Sequence, residues 1–174
     1  RFLAPFFKGY LNAGFFLANF AFLVMIYAFQ LLMEVGKEKN LERLLLLFLF
    51  FPTGFYFACL YNESLFLAFV FLSFFQAKKG KWLWAGILAS LASATRVVGI
   101  FMFPALLVEF LEQNRWSFKS FLKKKHWPKL VAISISVLGF LAYVAYLKIK
   151  TGDWLRFASV QAGFGAQRTT SRLI

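Results

Sequence analysis

Apolar and polar positions in this chain alternate by whole segments rather than by single residues. Apolar runs occupy residues 11–33, 44–60, 64–77, 82–94, 97–111 and 127–147, and short polar stretches separate most of them. The first run has 23 residues. As an α-helix it is roughly 34 Å long, enough to cross a bilayer core of about 30 Å. The second run contains Pro52 and Gly54. A proline removes one backbone hydrogen bond, so a kink is expected there. The pattern predicts an all-α fold: a polytopic transmembrane helical bundle of about six membrane segments, some short. It forms a single transmembrane domain, 1–174, with an external tail at 148–174.

Charge sets the direction of each pass. Three linkers, 34–43, 78–81 and 112–129, hold 12 of the 20 Lys and Arg residues. Basic linkers stay on the cytoplasmic side of a membrane. Two consecutive linkers share a side only when an even number of passes separates them. Residues 44–77 are therefore expected to make two passes, turning at Tyr61-Asn62-Glu63-Ser64. Residues 82–111 are expected to make two more, turning at Thr95-Arg96, rather than one tilted helix. The basic tail residues Lys148, Lys150, Arg156, Arg168 and Arg172 then face outward, against the usual bias: either they serve an anionic partner at that surface, or the chain has a different topology.

Length adds a consequence. Residues 65–77 and 82–94 are 13 residues each, roughly 20 Å of helix and too short for the bilayer core. Helix ends below the membrane surface need a polar cavity or protein around them. The two turns carry Glu63 and Arg96, so both are expected at the floor of an outward-facing, partly wet cavity.

Composition narrows the class. Hydrophobic residues make up 61% of the 174 and charged residues 16%, with a net charge of +13. That is too apolar for disorder and departs from the roughly 25% charged content of soluble domains. A strong positive charge points to nucleic acid in a soluble protein. Here the charges sit between apolar runs, so the expected partners are membrane lipids and no nucleic acid. One cysteine, Cys59, and one histidine, His126, exclude an intrachain disulfide and argue against a Cys/His zinc site. No metal site is expected. The chain begins at Arg1 and reads as a fragment of a longer polytopic protein. Trp82, Trp84, Trp116 and Trp127 lie at expected span ends and fit an aromatic belt. The Lys123–Lys125 cluster reads as an orientation signal in contact with anionic lipid.

Few residues are equipped for chemistry. A carboxylate at membrane depth, Glu63, is functional or paired. Its neighbours Tyr61, Asn62 and Ser64 all form hydrogen bonds and suit sugar hydroxyls or a polar head group. The rival reading has Glu63 pin two hairpins through Arg96. The guanidinium of Arg96 suits bidentate phosphate contact, with the same structural pair or snorkelling as its rivals. Asp153 opens the tail as a hydroxyl ligand or a helix cap. Gln161 is a further polar candidate, and Arg168 a further phosphate contact. There is no phosphate-cradling Gly-rich loop and no nucleophile triad.

Phe51-Pro52-Thr53-Gly54-Phe55-Tyr56-Phe57 followed by Tyr61-Asn62-Glu63-Ser64-Leu65-Phe66 resembles the F-P-x-x-F-F … Y-T-E-S-L-F signature of the mannosyltransferases related to the second mannosyltransferase of GPI-anchor biosynthesis. The stretch from Trp82 to Gly99, with Thr95-Arg96 and Gly99, is similar to that family's W-x-x-A-G … A-x-x-T-R-x-x-G segment. Thr151-Gly152-Asp153-Trp154, with Phe157 and Gln161, resembles its G-D-P-x-A-F … Q segment. Trp154 stands where Pro is common and Asn62 where Thr is common. The resemblance runs from about residue 44 to 174.

The resemblance implies a GT-C-type membrane glycosyltransferase. It would transfer a mannose-type sugar from a polyprenyl- or dolichyl-phosphate donor to a glycolipid or glycan acceptor on the non-cytoplasmic face. The lipid-phosphate sugar is a co-substrate, and no cofactor is evident. Tyr61, Asn62, Glu63, Ser64, Arg96, Asp153, Gln161 and Arg168 become substrate-binding candidates. The catalytic acidic residue is unknown and is expected in an N-terminal external loop outside this stretch, so the fragment alone is expected to be inactive. A bacterial cell membrane is the expected location rather than the endoplasmic reticulum membrane. The alternatives are a multi-pass transporter or flippase-like protein and a non-catalytic membrane subunit.

Overall fold

The computed structural model describes residues 10–52, 54–57, 59, 61–117 and 124–154. All regular structure among them is helical. The helices are α1 (Tyr10–Gly36), α2 (Leu41–Leu49), α3 (Glu63–Lys78), α4 (Trp82–Thr95), α5 (Met102–Gln113), α6 (Trp127–Ser134) and α7 (Ser136–Thr151). Turns of 3₁₀ helix at Gly54–Phe57, Val97–Phe101 and Lys124–His126 join them. The chain divides into two units, Arg1–Phe140 and Leu141–Ile174.

Two stretches, Leu11–Gly36 and Lys124–Thr151, are long and apolar enough to cross a membrane. That is fewer than the six expected segments. The expected run at 44–60 is a helix of only 9 residues followed by irregular chain. Helix α2 ends at Leu49, just ahead of Pro52, because the residue before a proline is driven out of the α region and the ring blocks the preceding turn. Gly54 lets the chain fold back against the end of α2: a Cβ there would strike the Leu49 carbonyl oxygen. The last run is interrupted at Ile135, between α6 and α7.

Within the first unit the chain nonetheless runs back and forth. Phe29 of α1 packs edge-on against Phe71 of α3, and Gly14 and Ala18 of α1 line a cavity with Tyr61 and Leu65. Helices α1 and α3 are therefore parallel. Helix α4 returns antiparallel to α3, and α5 reverses again: Trp82 meets Phe110, and Lys78 pairs with Glu109 at 3.5 Å. The stretch Trp127–Gly139 then runs parallel to α4. Turns at 37–40 and 79–81 and the two ends of the 114–126 connection gather at one end of the bundle, the basic end. Glu63 and Arg96 mark the other.

Small side chains make the contacts. Ala21, Met25 and Ala28 form the buried strip of α1, while Phe15, Phe16, Phe20, Leu23 and Tyr27 stay exposed on its outer surface. Ala85, Ala89 and Ala92 of α4 are fully buried. A Cβ on Gly86 would collide with the Ala132 carbonyl oxygen, and one on Gly139 with that of Ser90. Such small-residue seams let helix backbones approach closely where lipid supplies no hydrophobic drive. Serine hydroxyls cross the same seams. Ser73 Oγ donates to the Ala85 carbonyl at 2.8 Å, and Ser93 Oγ to the Ser136 carbonyl at 2.8 Å.

Candidate functional site

The polar end of the bundle is built from two helix termini. Helix α3 begins at Glu63 and α4 ends at Thr95. Arg96 then turns extended, with φ −143° and ψ 139°, and the 3₁₀ turn folds tightly back. Gly99 makes that return possible, since a Cβ there would lie on the backbone of Ser93. The Gly99 amide donates to the Arg96 carbonyl at 2.8 Å.

Two links tie the termini together. Asn62 Nδ2 donates to the Thr95 carbonyl at 3.0 Å. The Arg96 guanidinium donates to Glu63 Oε1 in a tight ion pair. Each charge also sits where a helix dipole favours it, the carboxylate in the first turn of α3 and the guanidinium just past the last turn of α4. The pair is only partly shielded, with side-chain exposures of 24% for Glu63 and 37% for Arg96. The second oxygen, Glu63 Oε2, is buried and has no hydrogen-bond partner among the described residues. Arg96 also lies over the Phe66 ring, 6.0 Å from its centroid.

Next to the pair is a cavity of about 240 Å³ between α1 and the start of α3. Tyr61 and Asn62 form its polar rim, and Gly14, Leu17, Ala18, Ala21 and Leu65 its apolar wall. Tyr61 is 57% exposed and packs edge-on against Tyr56. The arrangement places a phenol and an amide on an apolar cavity, with the Glu63–Arg96 pair beginning one residue beyond Asn62. It can hold a ligand with hydroxyl and anionic groups at one end and hydrocarbon at the other.

The other sequence candidates fall elsewhere. Ser64 is fully buried and donates to the Phe57 carbonyl at 2.5 Å, so its hydroxyl lies inside the fold rather than in the opening. Asp153 belongs to the second unit, on exposed chain just after α7. That helix ends on Gly152, at φ +78°, with the Gly152 amide donating to the Lys148 carbonyl at 2.9 Å. Gln161 and Arg168 lie outside the described residues. No group of three or more His, Cys, Asp or Glu side chains comes together among the described residues.

One polar cluster at the basic end escaped the sequence reading. Glu109 is 6% exposed, pairs with Lys78, and accepts from Gln113 Nε2 at 2.9 Å. Gln113 Nε2 also reaches the Ala77 carbonyl, at 3.0 Å. The signal was available as a lone acid inside an apolar run with a glutamine four residues on. Trp82 departs from the expected aromatic belt: it is 4% exposed and packed against Phe110, whereas Trp84, Trp116 and Trp127 are exposed.

No family model, curated protein or solved structure matches this chain.

Proposed function

We propose that the protein is part of a membrane-embedded glycosyltransferase that moves a mannose-type sugar from a polyprenyl- or dolichyl-phosphate donor to a glycolipid or glycan acceptor. The reading takes the alternating passes of the first unit as about six membrane segments, with the Glu63–Arg96 end on the non-cytoplasmic face of a bacterial cell membrane. One observation carries it. Arg96 joins two helix termini through Glu63, leaves the second carboxylate oxygen without a partner among the described residues, and does so one residue along the chain from Asn62, which with Tyr61 lines an apolar cavity. Of the motif residues, Tyr61–Glu63 and Thr95-Arg96 fall on this same end.

In the proposed reaction the bond between the sugar's anomeric carbon and the lipid phosphate breaks. A new bond forms to the acceptor oxygen, whose proton passes to a carboxylate base. Glu63 Oε2 accepts a hydroxyl hydrogen bond from a sugar. Arg96 directs its remaining N–H groups to the departing phosphate and stabilises the charge that develops there. Tyr61 and Asn62 line the approach, and the wall of α1 receives hydrocarbon. Asp153, Gln161 and Arg168 enter only through the resemblance.

The ion pair also favours a second reading, a non-catalytic membrane subunit in which Glu63 and Arg96 simply pin two hairpins. The test is a full-length protein supplied with polyprenyl-phosphate mannose, with donor consumption as readout. Loss of consumption in Arg96→Ala with normal membrane insertion supports the transferase. Full consumption in that variant defeats the assignment of Arg96.

A further inference from the structure

A second cavity lies at the opposite end of the first unit, between the starts of α4 and α6. Its volume is about 330 Å³, and Trp82, Leu83, Lys129, Val131 and Ile135 are among its lining residues. The two helices touch where Gly86 meets Ala132, and the cavity is a cleft along this contact, lined on one side by Gly80, Trp82 and Leu83 and on the other by residues from Pro128 to Ile135.

One cation lines the cleft and three more flank its helices in sequence. Lys129 lies over the Trp82 ring, 5.9 Å from its centroid, and lines the cleft itself. Lys81 precedes Trp82, and Lys124 and Lys125 precede the start of α6; all three are exposed. The cavity lies between the starts of α4 and α6, the positive ends of both helix dipoles. Trp82 is 4% exposed, and its indole Nε1 is buried without a hydrogen-bond partner among the described residues. An indole nitrogen can only donate. A buried donor lacking an acceptor is costly, and Trp82 is one of the residues that line the cleft.

The other walls of the cleft are apolar. Leu83 and Val131 are 56% and 64% exposed on the outer surface of the bundle. A water-soluble anion would gain nothing from them. A molecule with an anionic head and a hydrocarbon tail matches both halves of the cleft.

We propose that the α4–α6 cleft is a binding site for an anionic phospholipid. Its phosphate rests against Lys129 and the Trp82 N–H, and an acyl chain runs along Leu83, Val131 and Ile135. The site depends on the membrane reading of the chain but not on the transferase reading, because it lies at the end away from Glu63 and Arg96.

The experiment is native mass spectrometry of the purified chain released from nanodiscs of mixed phosphatidylcholine and phosphatidylglycerol. The readout is the ratio of the two lipids retained. The wild type retains phosphatidylglycerol above its share in the disc. Lys129→Gln lowers that retention about fivefold, the effect of one cation at a lipid head group. Trp82→Phe keeps an aromatic ring, removes the N–H, and lowers retention about threefold. Lys37→Gln, at the same end but outside the cleft, leaves it unchanged. The proposal is overturned if Lys129→Gln retains lipid like the wild type, or if Lys37→Gln loses as much as Lys129→Gln. Displacement of the retained lipid by inorganic phosphate alone would also overturn it, since the site would then read a free anion. None of these outcomes depends on donor consumption, so they separate this site from the transferase assignment.

Discussion

Arg96 reaches Glu63 across 33 positions of sequence and joins the end of α4 to the start of α3. The pair has two separable duties, holding the hairpins together and presenting polar groups to a ligand. Arg96→Ala leaves a partly buried carboxylate without its partner and should destabilise the fold by about 1–3 kcal/mol. The double variant Glu63→Gln with Arg96→Gln removes both charges and should recover most of that loss. A double-mutant cycle of unfolding in detergent measures it. Donor consumption by the full-length protein should stay lost in the double variant, and its recovery would mean that the pair only holds the hairpins together.

The close seam between α4 and the last pass gives a second expectation. Gly139→Ala places a methyl group against the Ser90 carbonyl. Neither backbone can yield without separating the helices, so a loss of about 1–3 kcal/mol is expected. Gly152→Ala, where an added Cβ meets nothing within 4 Å, tests backbone conformation instead. Its φ of +78° makes the alanine cost about 1 kcal/mol. Chemical unfolding of both variants checks the contrast.

Ser93 Oγ bridges α4 to α7 by donating to the Ser136 carbonyl. Ser93→Ala should cost about 0.6 kcal/mol, typical of such a bond within a membrane bundle. A loss in the same unfolding assay well above that figure would mean that the hydroxyl does more than bridge the helices.

Orientation is tested by labelling. In a Cys59→Ala background, Tyr61→Cys should react with a membrane-impermeant maleimide from the non-cytoplasmic side, and Lys79→Cys from the cytoplasmic side. Labelling of both from one side would defeat the proposed reading of α3 as a membrane pass.

The hydrophobic pattern by itself determined the helical class, and the basic linkers determined the direction of the passes. Parity of passes between like-charged linkers requires Glu63 and Arg96 at one end, because a chain that returns to the same side must turn there. The linkers at 34–43 and 78–81 and the flanks of 112–129 do meet at the other end in the structure. Local sequence also marked the break near Pro52, although not that the helix would end at Leu49. Tertiary packing decided the rest. Ser64 reads as one polar residue among four, but its hydroxyl is drawn inward to the Phe57 carbonyl by the fold-back of the 3₁₀ turn. Trp82 beside a lysine reads as a belt residue, yet contact with Phe110 buries it and leaves its N–H unsatisfied. The small residues Gly86, Ala132 and Gly139 were visible in sequence without their partners. Which backbones approach is a property of two helices at once, and no single segment carries that information.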